Sequence, residues 1–149
     1  MRIVLDTNVL VRAAADEHGL AGRLLLEISA GPHVLVTSPY VLSEVARVLA
    51  YPRLQARWRL GEKTVQEFVG RLGDVADIVL TTTPDRIVAA DPDDDAIVQT
   101  AVLGGVDVLC TRDRHLLDGA VVEYCAGQGI QVVDDIDLYH MLTGHPKGG

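Results

Sequence analysis

The sequence predicts a three-layer α/β/α sandwich built around a parallel sheet of about five strands. Short runs of β-branched and aliphatic residues alternate with longer helical patterns along the chain. The strand-like runs are apolar at consecutive positions, which is typical of parallel strands covered by helices on both faces. In open sheets of this kind, ligands bind beyond the carboxyl ends of the strands.

Each element has a local signal. Strands are predicted at residues 2–5, 33–37, 77–80, 106–110 and 130–133, and an extension of the third past Thr81 stays open. Helices are predicted at residues 8–15, 20–29, 39–50, 62–73, 94–103 and 135–142. Ser38 can cap the third helix and Pro39 suits its first turn, whereas Gly104-Gly105 ends the fifth. The stretch 119–129 is long for a connection, and its local structure is left open.

The bulk properties indicate one domain. A chain of 149 residues with 48% hydrophobic residues can form a single core, predicted over residues 1–142, with a loose tail at residues 143–149. The apolar runs are too short to cross a bilayer, and we expect no membrane association. The N-terminal residues do not resemble a signal peptide, and Cys110 and Cys125 suit a reducing compartment, so a cytoplasmic protein is predicted.

The charge balance constrains the function. A net charge of −8 argues against a protein that coats nucleic acid through a broad basic surface. It is compatible with a nuclease, because divalent cations reverse the sign of a carboxylate-rich site. Four acidic residues lie within the five residues 91–95.

Four carboxylates are expected to meet at the carboxyl edge of the sheet. Asp6 follows the first strand, and Asp113 follows the fourth. Asp95 lies in the first turn of the helix before the fourth strand, with Asp94 as its alternate, and Glu44 lies in the second turn of the helix after the second strand. The negative charges of these carboxylates repel one another unless hard cations such as Mg²⁺ neutralise them. A metal-bound water is then a usable nucleophile for phosphodiester hydrolysis.

Taken singly, each acid also has a structural interpretation. Asp6 can cap a helix, and Glu44 can be a solvated surface residue. Asp94 and Asp95 can have no role beyond interacting with the helix dipole, and Asp113 can form an Asx-turn. The joint placement of the acids therefore carries the functional prediction.

The same residues resemble the PIN-domain family. The opening Ile3-Val4-Leu5-Asp6-Thr7-Asn8 is similar to the first PIN motif, and residues 38–45 resemble the second. Residues 91–101 and 105–117 resemble the third and fourth. The resemblance covers residues 1 to about 142 and lies near the VapC-like toxins of prokaryotic toxin–antitoxin pairs.

The resemblance implies both the activity and the partners. Asp6, Glu44, Asp95 and Asp113 would hold Mg²⁺ or Mn²⁺, supported by Thr7, Asn8 and Thr111. The implied reaction is endonucleolytic hydrolysis of RNA to 5′-phosphate and 3′-hydroxyl ends. A homodimer and a small antitoxin are the implied partners, and an antitoxin arginine could occupy the acidic site. Two alternatives stay open: a PIN nuclease of RNA processing or of DNA outside toxin–antitoxin systems, and a non-catalytic module that binds RNA or protein.

A basic segment provides candidate RNA contacts. Residues 45–60 contain no acids, and Tyr51 and Trp58 are interleaved with arginines. Arginines bind phosphates and aromatic rings stack on unpaired bases, but a solvated helix pair with Trp58 in the core or in a dimer contact also explains the pattern. The candidate RNA-binding residues are Arg12, Arg47, Arg53, Arg57 and Arg112.

Other chemistries fit poorly. Asp91, Asp93 and Asp95 alternate like a calcium loop, but Ala96 and Val102 stand where that loop needs Gly and Glu. The five histidines lack paired zinc spacing, and no phosphate-binding glycine loop or GxSxG motif is present.

Overall fold

The structure is a computed structural model that describes residues 1–81 and 92–144, with only the backbone of residues 92–94. Its sheet is parallel and five-stranded, in the order β3-β2-β1-β4-β5. The strands are β1 (Arg2–Leu5), β2 (Val34–Thr37), β3 (Asp77–Ile78), β4 (Val108–Cys110) and β5 (Gln131–Val133). The predicted α/β/α sandwich around a parallel sheet of about five strands is confirmed.

Eight helices are found within the described ranges. They are α1 (Thr7–Ala15), α2 (Leu20–Ala30), α3 (Pro39–Leu49), α4 (Pro52–Trp58), α5 (Glu62–Val75), α6 (Pro92–Leu103), α7 (Gly119–Gly127) and α8 (Asp135–Thr143). Two of them, α4 and α7, have no counterpart among the predicted helices. Both have local signals: Pro52 occupies the first turn of α4, and the Asp118 side chain caps α7 by accepting a hydrogen bond from Ala120 N.

The strand order creates a switch point beside β1. The connections from β1 to β2 and from β2 to β3 run toward one edge of the sheet, whereas those leading to β4 and β5 run toward the other. Right-handed crossovers therefore place their helices on opposite faces, and the direction reverses between β1 and β4. The crevice at the carboxyl ends of these two strands is the expected ligand position in an open sheet.

The central strand fixes the core. Ile3 in β1 is fully buried and pairs with Leu35 on one side and Val108 on the other. Residues that are apolar at successive positions fill both layers, as the sequence predicts for a sheet covered on both faces. Cys110 and Cys125 are buried free thiols within this core.

The third strand is shorter than predicted. It comprises Asp77–Ile78 rather than residues 77–80, because β3 is an edge strand whose two residues are exposed. One more backbone bond, from Val79 N to Thr37 O (2.8 Å), follows the strand. The possible extension past Thr81 falls mainly on residues 82–91, outside the described residues, as do Asp91 and the tail from residue 145.

In the described part of the chain, every helix is too short or too polar to span a membrane.

Candidate functional site

Asp6 lies at the switch point and has two structural tasks. It follows β1, and its backbone N–H donates to Cys110 O (2.9 Å), so the β1–β4 pairing continues to this residue. Its side chain is 5% exposed and caps α1, with Oδ1 accepting from Thr7 N at 2.7 Å. The helix N-terminus carries a partial positive charge that favours an ionised carboxylate there.

The Thr111 hydroxyl connects Asp6 to Asp113. Thr111 is fully buried, and its Oγ1 donates to Asp6 Oδ2 at 2.7 Å while accepting from Asp113 N at 3.0 Å. The backbone N–H of Asp113 can only donate, so the hydroxyl accepts from it and directs its own hydrogen to Asp6 Oδ2. Asp113 is half-buried, and its Oδ1 accepts from His115 N (2.8 Å) in the Asx-turn that the sequence allowed.

Glu44 makes an ion pair within its own helix. It lies in the second turn of α3 and is bound by the Arg47 guanidinium, with Nη2 at 2.7 Å from Oε2 and Nε at 3.1 Å from Oε1. The third guanidinium nitrogen, Nη1, donates to the Tyr51 hydroxyl. The ion pair with Glu44 raises the pKa of Arg47 further above its usual range, first through its hydrogen bond and then through the charge of Glu44.

Asp95 is 1% exposed in the first turn of α6. Five residues further along α6, the Thr100 hydroxyl contacts the Ser38 hydroxyl at 3.0 Å and donates to Ala96 O at 2.8 Å. Ser38 also accepts from Val41 N as the cap of α3. A buried hydroxyl pair thus links the helix that carries Asp95 to the start of the helix that carries Glu44. The side chain of Asp94 is outside the described set.

The four predicted acids are not joined into one ready-made cage. Asp6 and Asp113 meet through Thr111, whereas Glu44 is held by Arg47. Among the residues whose side chains are described, no three carboxylate, imidazole or thiol groups are close enough to hold one ion together. The donor chemistry nevertheless fits Mg²⁺ or Mn²⁺, because carboxylate and hydroxyl oxygens are hard ligands and Mg²⁺ retains several waters.

Two further acids at this edge were missed by the sequence reasoning. Asp134 and Asp135 directly follow β5, just as Asp6 follows β1, and Asp135 is 3% exposed. Asp134 caps α8 by accepting from Asp137 N (2.8 Å), and Asp135 accepts from Ile136 N (3.1 Å). The available signal was their position after a predicted strand.

The buried thiol of Cys110 reports the charge at this edge. Its pKa is raised well above the ordinary range, first by burial and then by the negative charges of Asp135, Asp134 and Asp6. Acids from the ends of β1 and β5 therefore act on one side chain at the end of β4. Three carboxylates therefore lie near the end of β4, with Arg112 beside one of them, which is compatible with a cation site.

The predicted RNA-binding arginines fall into two groups. Arg47 pairs with Glu44, and Arg112 lies 3.6 Å from Asp135. The other three predicted arginines are exposed: Arg12 near the end of α1, and Arg53 and Arg57 on α4. Of the supporting residues, Thr7 is half-buried and Asn8 is exposed at the start of α1.

A cavity of about 660 Å³ lies elsewhere in the molecule. It is lined by residues of α1, α2, α3 and α5, including Leu25, Leu49, Phe68 and Leu72. None of the predicted site residues lines it, so the candidate site is the open carboxyl edge and not this apolar cavity.

Fold and site together define an open-sheet α/β protein with acidic side chains at its switch point. The family model of the PIN domain matches residues 2–115. The chain therefore belongs to the PIN domain family, whose members are generally nucleases and typically use divalent metal ions. It is also similar to the uncharacterised protein MJ1680 of Methanocaldococcus jannaschii, with 24% identity over 122 residues that cover 77% of each chain.

Proposed function

We propose that this protein is a divalent-metal-dependent endoribonuclease that hydrolyses RNA to 5′-phosphate and 3′-hydroxyl ends. The observation that carries the proposal is the Asp6–Thr111–Asp113 arrangement at the switch point of a PIN-family sheet. Membership of the family favours nuclease chemistry, and this arrangement indicates where on the sheet that chemistry would occur.

The chain's own residues have distinct tasks in this proposal. Asp6 and Asp113 would hold Mg²⁺ or Mn²⁺, with Asp95 and Glu44 completing the acidic set. A bound divalent cation would supply Lewis acidity for activating water and neutralising the phosphate. Thr111 and the N–H of Thr7 fix both oxygens of the Asp6 carboxylate, so Asp6 faces the edge in one orientation.

RNA would approach along the exposed arginines. Arg53 and Arg57 lie on α4, which packs against the end of α3 and so extends from the helix that carries Glu44. Guanidinium groups bind phosphates bidentately. The role of toxin, a small antitoxin partner and a homodimer are proposed from the resemblance to VapC-like proteins.

A substitution at Asp6 tests the nuclease proposal. Asparagine caps helices as well as aspartate does, so Asp6→Asn should retain the fold while removing a charged ligand. Labelled RNA incubated with Mn²⁺ should be cleaved by the wild type and not in EDTA. The variant should cleave about a hundredfold more slowly or worse. Asp16→Asn is the matched control, because Asp16 is an exposed carboxylate that ends the same helix.

Cleavage by Asp6→Asn at the wild-type rate would refute the site. Sequencing the product ends provides a second test, because 2′,3′-cyclic phosphate products would contradict hydrolysis by an activated water. A small antitoxin gene beside this one would favour the toxin role over RNA processing.

One observation favours a non-catalytic module that binds RNA. Glu44 is neutralised by Arg47, and no three donors among the described side chains are clustered. In that case the protein would bind RNA in EDTA with the affinity it shows in Mn²⁺, and no RNA or DNA substrate would be cleaved.

A further inference from the structure

The Glu44 carboxylate is already bound by a cation of the chain itself. Arg47 contacts both of its oxygens, and the Tyr51 hydroxyl accepts from the remaining terminal nitrogen of the guanidinium. The guanidinium also lies 5.6 Å from the centre of the Tyr51 ring. Glu44 and Arg47 lie one turn apart on α3, and Tyr51 lies two residues beyond the end of that helix, as the N-cap of α4.

The two partners of this ion pair differ in their exposure. The Glu44 side chain is 20% exposed, whereas that of Arg47 is 52% exposed. A carboxylate that is mostly removed from water interacts more strongly with a bidentate guanidinium than an exposed one does. The arginine is the more exposed partner, so the pair would open from the Arg47 side.

We propose that Arg47 is a positioning residue that holds Glu44 out of the metal site, and thereby raises the divalent-cation concentration at which the site fills. The inference rests on the proposed metal-dependent function and extends it to the control of metal affinity. In the metal-free chain, Arg47 neutralises Glu44. For Glu44 to act as a ligand, the guanidinium must release at least one carboxylate oxygen.

The size of the effect follows from the type of contact. Exposed ion pairs change an equilibrium constant by up to roughly fivefold. Because this pair is bidentate and its carboxylate is mostly buried, Arg47→Ala should lower the Mn²⁺ concentration for half-saturation by about threefold to tenfold. Tyr51→Phe removes only the hydroxyl anchor, so it should shift the midpoint in the same direction by a smaller factor.

The experiment titrates Mn²⁺ into each purified variant without RNA. Electron paramagnetic resonance measures free Mn²⁺, and thermal melting at each concentration gives an independent midpoint. Arg23→Ala is the matched control, because it also removes one exposed arginine, on α2, and changes the net charge equally. If Arg47 only stabilised its helix, Arg47→Ala would lower the metal-free melting temperature without moving the Mn²⁺ midpoint.

Glu44→Gln separates failure of this inference from failure of the function beneath it. The expected result is weaker Mn²⁺ binding in Glu44→Gln and tighter binding in Arg47→Ala. The inference is overturned if Arg47→Ala binds Mn²⁺ no more tightly than the wild type while Glu44→Gln binds it more weakly. That result would still support a metal site that includes Glu44. If the wild type binds no Mn²⁺, the proposed metal site is wrong and so is the inference. If Glu44→Gln binds Mn²⁺ like the wild type, Glu44 is not a ligand and the inference is again wrong.

Discussion

At the scale of single residues, the Thr111 hydroxyl is the most constrained group of the candidate site. It is fully buried and satisfies one oxygen of Asp6 and the backbone N–H of Asp113. Removing it takes this partner from the buried Asp6 oxygen and from the part-buried Asp113 N–H, and an unsatisfied buried polar group costs about 1–3 kcal/mol. This one atom therefore affects both the stability of the fold and the orientation of a proposed metal ligand.

The pair Thr111→Val and Thr111→Ser tests both effects. Valine has nearly the same shape but lacks the hydroxyl, so we expect a loss of about 1–3 kcal/mol in the free energy of unfolding by urea. We also expect Mn²⁺ affinity to fall by about tenfold to a hundredfold. Serine keeps the hydroxyl and should restore the metal affinity. Equal Mn²⁺ affinity in all three proteins would show that Thr111 does not orient a ligand.

Cys110 provides a pH-dependent prediction. Burial and three nearby carboxylates raise its pKa in the folded chain. An acid whose pKa is raised on folding contributes stability below its unfolded pKa, about 8.5 for a thiol, and loses that contribution as the pH rises above it. The free energy of unfolding should therefore decrease above about pH 8.5.

Urea unfolding at pH 7 and pH 9.5 measures this loss in the wild type and in Cys110→Ala. The variant should lose less stability between the two pH values, because it has no thiol to ionise at this position. Cys125→Ala should also lose less stability than the wild type, since burial raises the pKa of Cys125 as well. If Cys110→Ala loses as much stability as the wild type, the thiol does not contribute to the alkaline decrease.

At the scale of elements, the close connection between α1 and α2 requires a glycine in the first turn of α2. A β-carbon at Gly22, in the first turn of α2, would lie 2.3 Å from Glu17 O. Such a distance is far inside van der Waals contact, and the obstructing atom belongs to the backbone. The two helices can keep their close connection only if position 22 has no side chain.

Opposite effects are expected for alanine at two glycines. Gly22→Ala should destabilise the protein by about 1–3 kcal/mol, because the backbone must shift to accept the methyl group. Gly70→Ala should stabilise it by about 0.5–1 kcal/mol, because Gly70 is exposed within α5 and its β-carbon would meet nothing within 4 Å. Thermal melting of both variants checks this contrast, and a tolerated Gly22→Ala would contradict the close approach.

At the scale of the whole molecule, a net charge of −8 must be reconciled with RNA as the proposed ligand. Only a few phosphate contacts are expected, and they would be concentrated on the arginines of α4. Binding of single-stranded RNA should therefore weaken only moderately with salt. Each phosphate contact contributes about −0.7 to the slope of log K against log salt concentration.

The double substitution Arg53→Ala with Arg57→Ala should make that slope shallower by about 1.4. RNA affinity is measured by fluorescence anisotropy at several salt concentrations in EDTA, so that cleavage does not interfere. Arg23→Ala serves as the control, since it changes the charge on another helix. If the double variant has the same salt dependence of RNA binding as the wild type, RNA does not contact Arg53 and Arg57 on α4.

The amino-acid sequence determined the fold class and the central strand, whereas the assignment of the acids to a metal site stays a prediction. Apolar runs covered on both faces permit only a buried parallel sheet, and polar residues directly after β1 and β4 must lie at its carboxyl edge. The helices α4 and α7 were not predicted, because α4 has only seven residues and α7 begins and ends with glycine, which weakens a helical pattern. The predicted domain boundary at residue 142 stays a prediction.

Only the tertiary structure decided which side chains interact at the edge. The hydrogen bond from Thr111 to Asp6 joins residues 105 positions apart, and the acids after β5 reach Cys110 only because β4 and β5 pair. The Arg47–Glu44 pair was within reach of sequence reasoning, since the residues are one helical turn apart. Its bidentate form was not, because a side chain's rotamer depends on what surrounds it in the folded molecule.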